Sequence, residues 1–377
     1  TFRPDAFSYC IALQAMGTKG ASYIQGRGYE FLDRLLSSSI PPERAAFNGI
    51  ILTLAKNECF MKAEECLNHL VQSYKAGITS AKPDMTSFTT ITIAYAKQGK
   101  PLHAEKVLDQ LEELYATTKE RWLRQSTTIY NTIIDAWAKS NEENSALRAH
   151  NILNKMKNMT DALIRPDAIS YSGVINAYGR NNNPEAAEAL LGEIESGAVN
   201  FVEPNTVIMN CVIDAWAKTN GTDRFYAAQR AEAILERMEQ ESASNPAIKP
   251  DKISYTSVLN AWAHASTGHD VAAADRAENL LQHMITMYQR GHIETPPDTI
   301  AFNTVLKSFA VSGATKKAES LLADMFYRWE SSRTSKPDNF SFNIVVYAYE
   351  IEFGKDSEQA KKAKDRIQRL RERLNVI

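Results

Sequence analysis

Paired cysteines are missing from this chain: its 377 residues hold only Cys10, Cys59, Cys66 and Cys211, at spacings of neither a disulfide framework nor a zinc site. They read as buried thiols of a reducing compartment. Long apolar runs are missing too, although 44% of the chain is hydrophobic, so no segment is expected to cross a membrane. There is no excess of either charge, with 43 Lys and Arg against 45 Asp and Glu for a net charge of -2. That balance argues against indiscriminate nucleic-acid binding, which usually comes with a basic domain, but it allows a basic stripe on one face. No phosphate-binding glycine loop occurs. His103-Ala-Glu105 matches half of a zinc-deaminase signature whose Pro-Cys-x-x-Cys half is absent, which leaves His103 a surface helix residue. His264 and His269 have no third ligand candidate, and the aspartates are spaced rather than clustered. No metal, no cofactor and no catalytic activity are expected.

What the chain does have is repetition. Tyr130–Lys139 (YNTIIDAWAK) returns as Tyr171–Arg180, Met209–Lys218 and Tyr255–His264, with looser copies from Tyr9, Phe47, Phe88, Phe302 and Phe342. An Ala-x-x-x-Leu phrase follows most copies, as at Ala63–Leu67, Ala149–Leu153 and Ala231–Leu235. A Pro-Asp or Pro-Asn step closes the unit at Asp84, Asp167, Asn205, Asp251, Asp298 and Asp338. Such a period signals a tandem array, in which each unit buries its apolar face against its neighbours. At this length a single core was already improbable.

Within a unit, Tyr130, Ile133, Ile134 and Trp137 form one helical stripe, and Ala149, Leu153 and Met156 form another. Polar breakers such as Ser140–Ser145 and Thr219–Thr222 separate the two helices, and the prolines are expected to end the second. The expected fold is all-α, a right-handed α-solenoid superhelix of about nine helix-turn-helix repeats. The expected boundaries are 6–43 (atypical), 44–84, 85–126, 127–167, 168–205, 206–251, 252–298, 299–338 and 339–377, after a tail of a preceding repeat at 1–5. Glu239–Ile248 reads as a surface excursion, and the charged Ala360–Leu374 as a helix capping the array. The chain reads as an excised piece, with any targeting segment upstream.

The aromatic-Asn/Thr/Ser opening, the Ala-Glu-x-x-Leu phrase and the Pro-Asp ending together resemble the pentatricopeptide repeat family, over essentially the whole chain, though in units longer than the family's usual. The resemblance implies single-stranded RNA as partner, with one base read per repeat. The readers would be the residue after the leading aromatic and the last residue of the unit. These are Asn48 with Asp84, Thr89 with Ser126, Asn131 with Asp167, Ser172 with Asn205, Asn210 with Asp251, Thr256 with Asp298, and Asn303 with Asp338. Asn343 lacks a closing partner, and Cys10 with Glu43 is atypical. Asn with Asp implies U, Thr with Asp implies G, Ser with Asn implies A, and Thr with Ser only a purine. The implied target is 5′-URUAUGUY-3′, the last base resting on Asn343 alone. The residue types suit this, since an Asn amide offers both donor and acceptor to a base edge. Helix capping explains the choice of Asn, Ser and Thr, but not the coupled Asp or Asn at the end of the same unit. Asn131, Ser172, Asn210 and Thr256 are expected to face one open concave groove. Burial of any two of them in helix–helix cores would sink base reading.

Eight residues after the reader, Lys56, Lys97, Lys139, Arg180 and Lys218 recur in five successive units, followed by His264. Stacking would line them up for a phosphate backbone, although a cation also suits the C-terminal end of a helix. Ile169, Val207, Ile253 and Ile300 resemble the family's apolar wedge between bases, and packing accounts for them equally well. The leading reading is sequence-specific RNA binding in organellar RNA processing, stability or translation, in a mitochondrion or chloroplast. The alternative is a protein-binding scaffold within an organellar ribosome or RNA-processing complex.

Overall fold

The computed structural model describes residues 4–159, 161–199, 201–221, 223–268 and 271–376, and these contain no β-strand. The chain divides after Ala177 into two compact bodies. In the first, α1 (Ala6–Gly17) precedes α2 (Ala21–Tyr23), which passes through a π turn at Ile24–Gly28 into α3 (Tyr29–Leu36). Three pairs follow: α4 (Arg44–Lys56) with α5 (Phe60–Lys75), α6 (Met85–Lys97) with α7 (Pro101–Thr118), and α8 (Thr127–Lys139) with α9 (Ser145–Lys157). Helix α10 (Ala168–Arg180) crosses the division. The second body holds α11 (Pro184–Glu195), α12 (Thr206–Ala217) with α13 (Arg224–Glu241), and α14 (Lys252–Ala265) with α15 (Ala272–Gln289). It closes with α16 (Thr299–Val311) and α17 (Thr315–Ser332), then α18 (Asn339–Phe353) and α19 (Glu358–Val376).

The periodic stripes are the core. Tyr130, Ile133, Ile134 and Trp137 are buried on α8, and Ala149, Leu153 and Met156 on α9. Each first helix packs on its own second helix and on the first helix of the next pair, as α4 does on α5 and α6, and α14 on α15 and α16. First helices approach closely where a side chain is missing. A Cβ on Gly179 would lie 2.9 Å from Ala215 Cβ and 3.0 Å from its Cα, so only glycine fits there without displacing backbone.

A polar staple joins successive pairs on the second-helix side. In four repeats the Glu of the Ala-Glu phrase accepts a hydrogen bond from the large aromatic near the end of the next first helix. Trp137 Nε1 donates to Glu105 at 3.1 Å, Trp216 Nε1 to Glu188 at 2.9 Å, Tyr349 Oη to Glu319 at 2.5 Å, and Tyr95 Oη to Glu64. A cation of the following second helix completes several of these, Arg148 at Glu105, Arg230 at Glu188 and Arg366 at Glu319. Each staple supplies an indole or phenol with its acceptor inside the interface.

Two expectations need correction. The prolines do not end the second helices. A one-turn 3₁₀ segment intervenes at Thr79–Ala81, Arg121–Leu123, Ala162–Ile164 and Pro246–Ile248, and its last residue (Ala81, Leu123, Ile164, Ile248) plugs the core. These turns absorb part of the extra unit length. Glu239 is not in a surface excursion but in α13, where it accepts from Tyr255 Oη at 2.5 Å and pairs with His283 Nε2 at 2.9 Å.

The unit-closing Asp and Asn residues are N-caps. Asp84, Asp251 and Asp338 form capping boxes with Ser87, Ser254 and Ser341, Asp298 accepts from Ala301 N, and Asn205 from Ile208 N. Burial alone would raise the Asp298 and Asp338 carboxyls. Lys252 and the Ala301 N–H at Asp298, and Ser341 with the Asn303 amide at Asp338, bring both below the ordinary 3.8 instead.

A carboxyl depressed in the fold stabilises it above the unfolded carboxyl's pKa, near 3.9, and loses that contribution as pH falls through the folded value. Amide exchange in α16 and α18 is therefore expected to accelerate as pH drops below about 4, beyond the intrinsic pH effect. An Asp298→Asn/Asp338→Asn variant, which keeps competent caps, should lose that acid step. Glu188→Ala should cost roughly 1–3 kcal/mol by leaving the Trp216 N–H and Arg230 without their acceptor. Because array stability is a nearest-neighbour property, the loss should appear as faster exchange confined to α11–α13; unchanged exchange there would show the staple to be energetically silent.

Candidate nucleic-acid interface

In four repeats the two residues of a reader pair are joined by a direct hydrogen bond. Asn Nδ2 donates to the closing Asp Oδ1 at 3.1 Å for Asn48–Asp84, 3.0 Å for Asn131–Asp167, 3.1 Å for Asn210–Asp251 and 3.2 Å for Asn303–Asp338. In three of them a serine hydroxyl closes a triangle. Ser87 Oγ donates to Asn48 Oδ1 at 2.7 Å, Ser170 Oγ to Asn131 at 2.6 Å and Ser254 Oγ to Asn210 at 2.7 Å. This serine is the third residue of the capping box, so the joint and the cap are one network. Sequence reasoning missed it, although Asp-x-x-Ser recurs at Asp84, Asp167, Asp251 and Asp338. The coupling of Asn with Asp therefore has a structural cause as well, since the Asp caps the next first helix while anchoring the Asn.

The other readers are arranged differently. Thr89 Oγ1 donates back to Met85 O at 2.7 Å and Thr256 Oγ1 to Lys252 O at 2.9 Å, so neither hydroxyl reaches its partner. Asp298 receives Lys252 Nζ instead, at 2.5 Å. Ser126 stands at the N-cap of α8 with no capping bond from its side chain. Two atoms are buried without a hydrogen-bond partner, Ser172 Oγ and Asn303 Oδ1. Asn343 is held from the far end: its Oδ1 accepts from Arg371 of α19, whose guanidinium also reaches Asn339 O at 3.4 Å. Arg371 thus stands where a following repeat would supply its serine.

The open-groove expectation is corrected for two of its four readers, Ser172 and Asn210, and Asn303 is buried as well. Asn131 and Thr256 are half-buried, but Ser172 and Asn210 are only 9% exposed and Asn303 only 7%. Asn210 and Asn303 lie in polar seams, Asn210 bonded to the cap of α14 and Asn303 to that of α18. What rises beside the readers is apolar. Ile169, Val207, Ile253, Ile300 and Phe340 are 58–67% exposed, so packing within the chain does not account for them. The matching positions of repeats 2–4 hold the small Ala45, Thr86 and Thr128.

All five cations of the row are exposed. Lys139 and Lys218 pair with Asp135 and Asp214 one turn back, each at 2.6 Å. Lys56 and Lys97 share a cleft of about 480 Å³ with Leu52 and Ile93. His264 Nδ1 lies 2.9 Å from Ala217 O, and His269 is outside the described residues. His103 stacks on Tyr95, with ring centroids 5.0 Å apart, and Glu105 belongs to the staple. A further cleft, of about 360 Å³, is lined by Asn303 and Asp338 together with Ile300, Phe340, His264 and Lys307.

Comparison with known proteins bears on this arrangement. A family model described as PPR repeat matches residues 86–114, 169–197 and 300–328. Among curated proteins, a pentatricopeptide repeat-containing protein of Arabidopsis thaliana is 21% identical over 72% of this chain and 34% of its own length. A chloroplastic one from the same plant is 23% identical over 45% of the chain and 30% of its own. The chain thus spans about a third of the curated relatives it matches. The crystal structure of the maize pentatricopeptide repeat protein PPR10 aligns with 96% of the chain and 53% of its own, at 17% identity and a TM-score of 0.41. Each matched segment opens on the wedge position of a first helix (Thr86, Ile169, Ile300) and runs into the Ala-Glu helix that follows, so the chain carries pentatricopeptide repeats at these three places.

Proposed function

We propose that this chain binds single-stranded RNA in sequence-specific fashion, one base per repeat, in the processing, stability or translation of transcripts in a mitochondrion or chloroplast. It acts by binding, with no catalytic step. The observation that carries the reading is the cleft at repeat 8. There Asn303 and Asp338 offer a polar lining between two exposed apolar side chains, Ile300 and Phe340. A flat base held between two such side chains presents its edge to the amide. The amide keeps one N–H and an unpartnered Oδ1 for it, because Asp338 takes only the other N–H.

The proposed footprint covers repeats 2–8 as 5′-URUAUGU-3′. The pyrimidine expected from Asn343 is left out, because Arg371 already holds its carbonyl. About five phosphates held by the cation row would give a slope of log affinity against log salt of roughly -3 to -4 for a single strand. A protein-binding scaffold is the second reading. The closed Asn–Asp–Ser triangles favour it, because the same residues then serve only to join repeats.

Selection from random single-stranded RNA separates the two. The RNA reading expects enrichment of alternating U and purine, and Thr256→Asn, with Asp298 kept, should move the seventh repeat from G to U. The shift in discrimination should be about 1–3 kcal/mol, the usual weight of one base contact. A pool without enrichment, or a variant that still prefers G, would leave the scaffold.

A further inference from the structure

The cations of the row are not equivalent. Four residues before Lys56 and Lys97 stand Leu52 and Ile93, and neither lysine has an ion pair among the described residues. Four residues before Lys139 and Lys218 stand Asp135 and Asp214, each bound to its lysine at 2.6 Å. Asp135 is 58% exposed at the side chain and Asp214 37%, so neither is buried in a structural contact. A phosphate approaching Lys139 or Lys218 must displace a carboxylate one helical turn away, and it is repelled by the carboxylate it displaces. At Lys56 and Lys97 it meets two ammonium groups on one cleft; Glu58 also lines that cleft, but it is ion-paired to neither lysine, so no carboxylate has to be displaced.

We infer that Asp135 and Asp214 are specificity-determining carboxylates that hold back the sequence-independent part of RNA binding at repeats 4 and 6. The inference rests on the RNA-binding reading above. Phosphate contacts strengthen binding to every sequence alike, whereas discrimination comes from the base contacts. A receptor with every cation free would bind mismatched strands well, and the useful quantity is the ratio of matched to mismatched affinity. Repeats 4 and 6 both carry an Asn–Asp reader pair. The brake therefore lies in two repeats with a bonded reader pair, and the unpaired grip lies in repeats 2 and 3, of which repeat 2 also has one.

The test compares the chain with an Asp135→Asn/Asp214→Asn variant on a single strand containing 5′-UAUAUGU-3′ and on its shuffled isomer. The variant should bind both strands about two- to tenfold more tightly at low salt, the range expected of two exposed ion pairs. The shuffled strand should gain at least as much, which narrows the ratio. The salt slope should steepen by up to about 1.4, two phosphates at roughly 0.7 each. Adding Lys139→Gln and Lys218→Gln should abolish the gain. Glu113→Gln/Asp275→Asn removes two exposed carboxylates that pair with lysines on second helices, Lys75 and Lys317, and controls for net charge. An equal gain in that control, or unchanged or weaker binding by the Asp135/Asp214 variant with its thermal unfolding intact, overturns the inference while RNA binding stands. If the unaltered chain holds neither strand, the RNA reading itself fails, and this inference with it.

Discussion

A helix that begins inside an array has N–H groups in its first turn with no carbonyl partner, and neighbouring helices keep much of the water away. Everything else in this chain is arranged around meeting that demand. The closing Asp does so by accepting from the third N–H of the helix it starts, as Asp251 does from Ser254 N at 2.9 Å. Its Oδ1 then has capacity left for the Asn of the preceding first helix, and the Ser hydroxyl links back to that Asn. One carboxylate thereby sets the start of one helix and the side-chain orientation on another. Register between repeats follows from this joint, because a slip of one residue would break the cap and the cross-helix bond together.

The second-helix side uses different chemistry for the same purpose. The Glu–Trp and Glu–Tyr staples place a charged acceptor against an aromatic donor near the far end of four first helices, α6, α8, α12 and α18. Burial pushes the Glu105 carboxyl up, against the pull of Arg148 and the Trp137 N–H. Its ionised form is thus maintained at a cost, and the arginine offsets it. With the Asp joint at the start of the first helix and the Glu staple near its end, the rotation of that helix is determined. The residues facing away from both, the wedges and the cations, are then necessarily exposed in a fixed sequence.

Much of this was legible in the residues. The stripes at Tyr130–Trp137 and Ala149–Met156, the two-helix unit and the family are patterns of spacing, and spacing survives in a linear sequence. The Asn–Asp pairing was legible as a coincidence of register, but its hydrogen bond was not, since nothing in a one-dimensional pattern brings Asn131 within 3.0 Å of Asp167. The 3₁₀ plugs were missed because Leu123 and Ile164 stand in apolar runs of two and three residues, Trp122-Leu123 and Ala162-Leu163-Ile164, too short to show a period. Openness of the readers was overestimated for a related reason. Exposure depends on how closely two first helices approach, and glycines such as Gly179 and small residues such as Ala215 set that distance. The tie between Arg371 and Asn343 was out of reach, because it depends on α19 folding back along α18.

Along the chain, the means of holding a strand change in character. Repeats 2 and 3 have unpaired lysines and small wedge positions, Ala45 and Thr86. From repeat 5 onward the wedge is a large apolar side chain, and after Arg180 and Lys218 of repeats 5 and 6 the cation row gives way to His264, Val311 and Ile351. Charge attracts a phosphate over a Debye length of about 10 Å and needs no particular orientation of the base. An apolar wedge acts only at contact and only on a base already placed between its neighbours. If a strand is the ligand, its first encounter falls to the lysine-bearing repeats and its close fit to the wedge-bearing ones, so capture and discrimination are separated along the array.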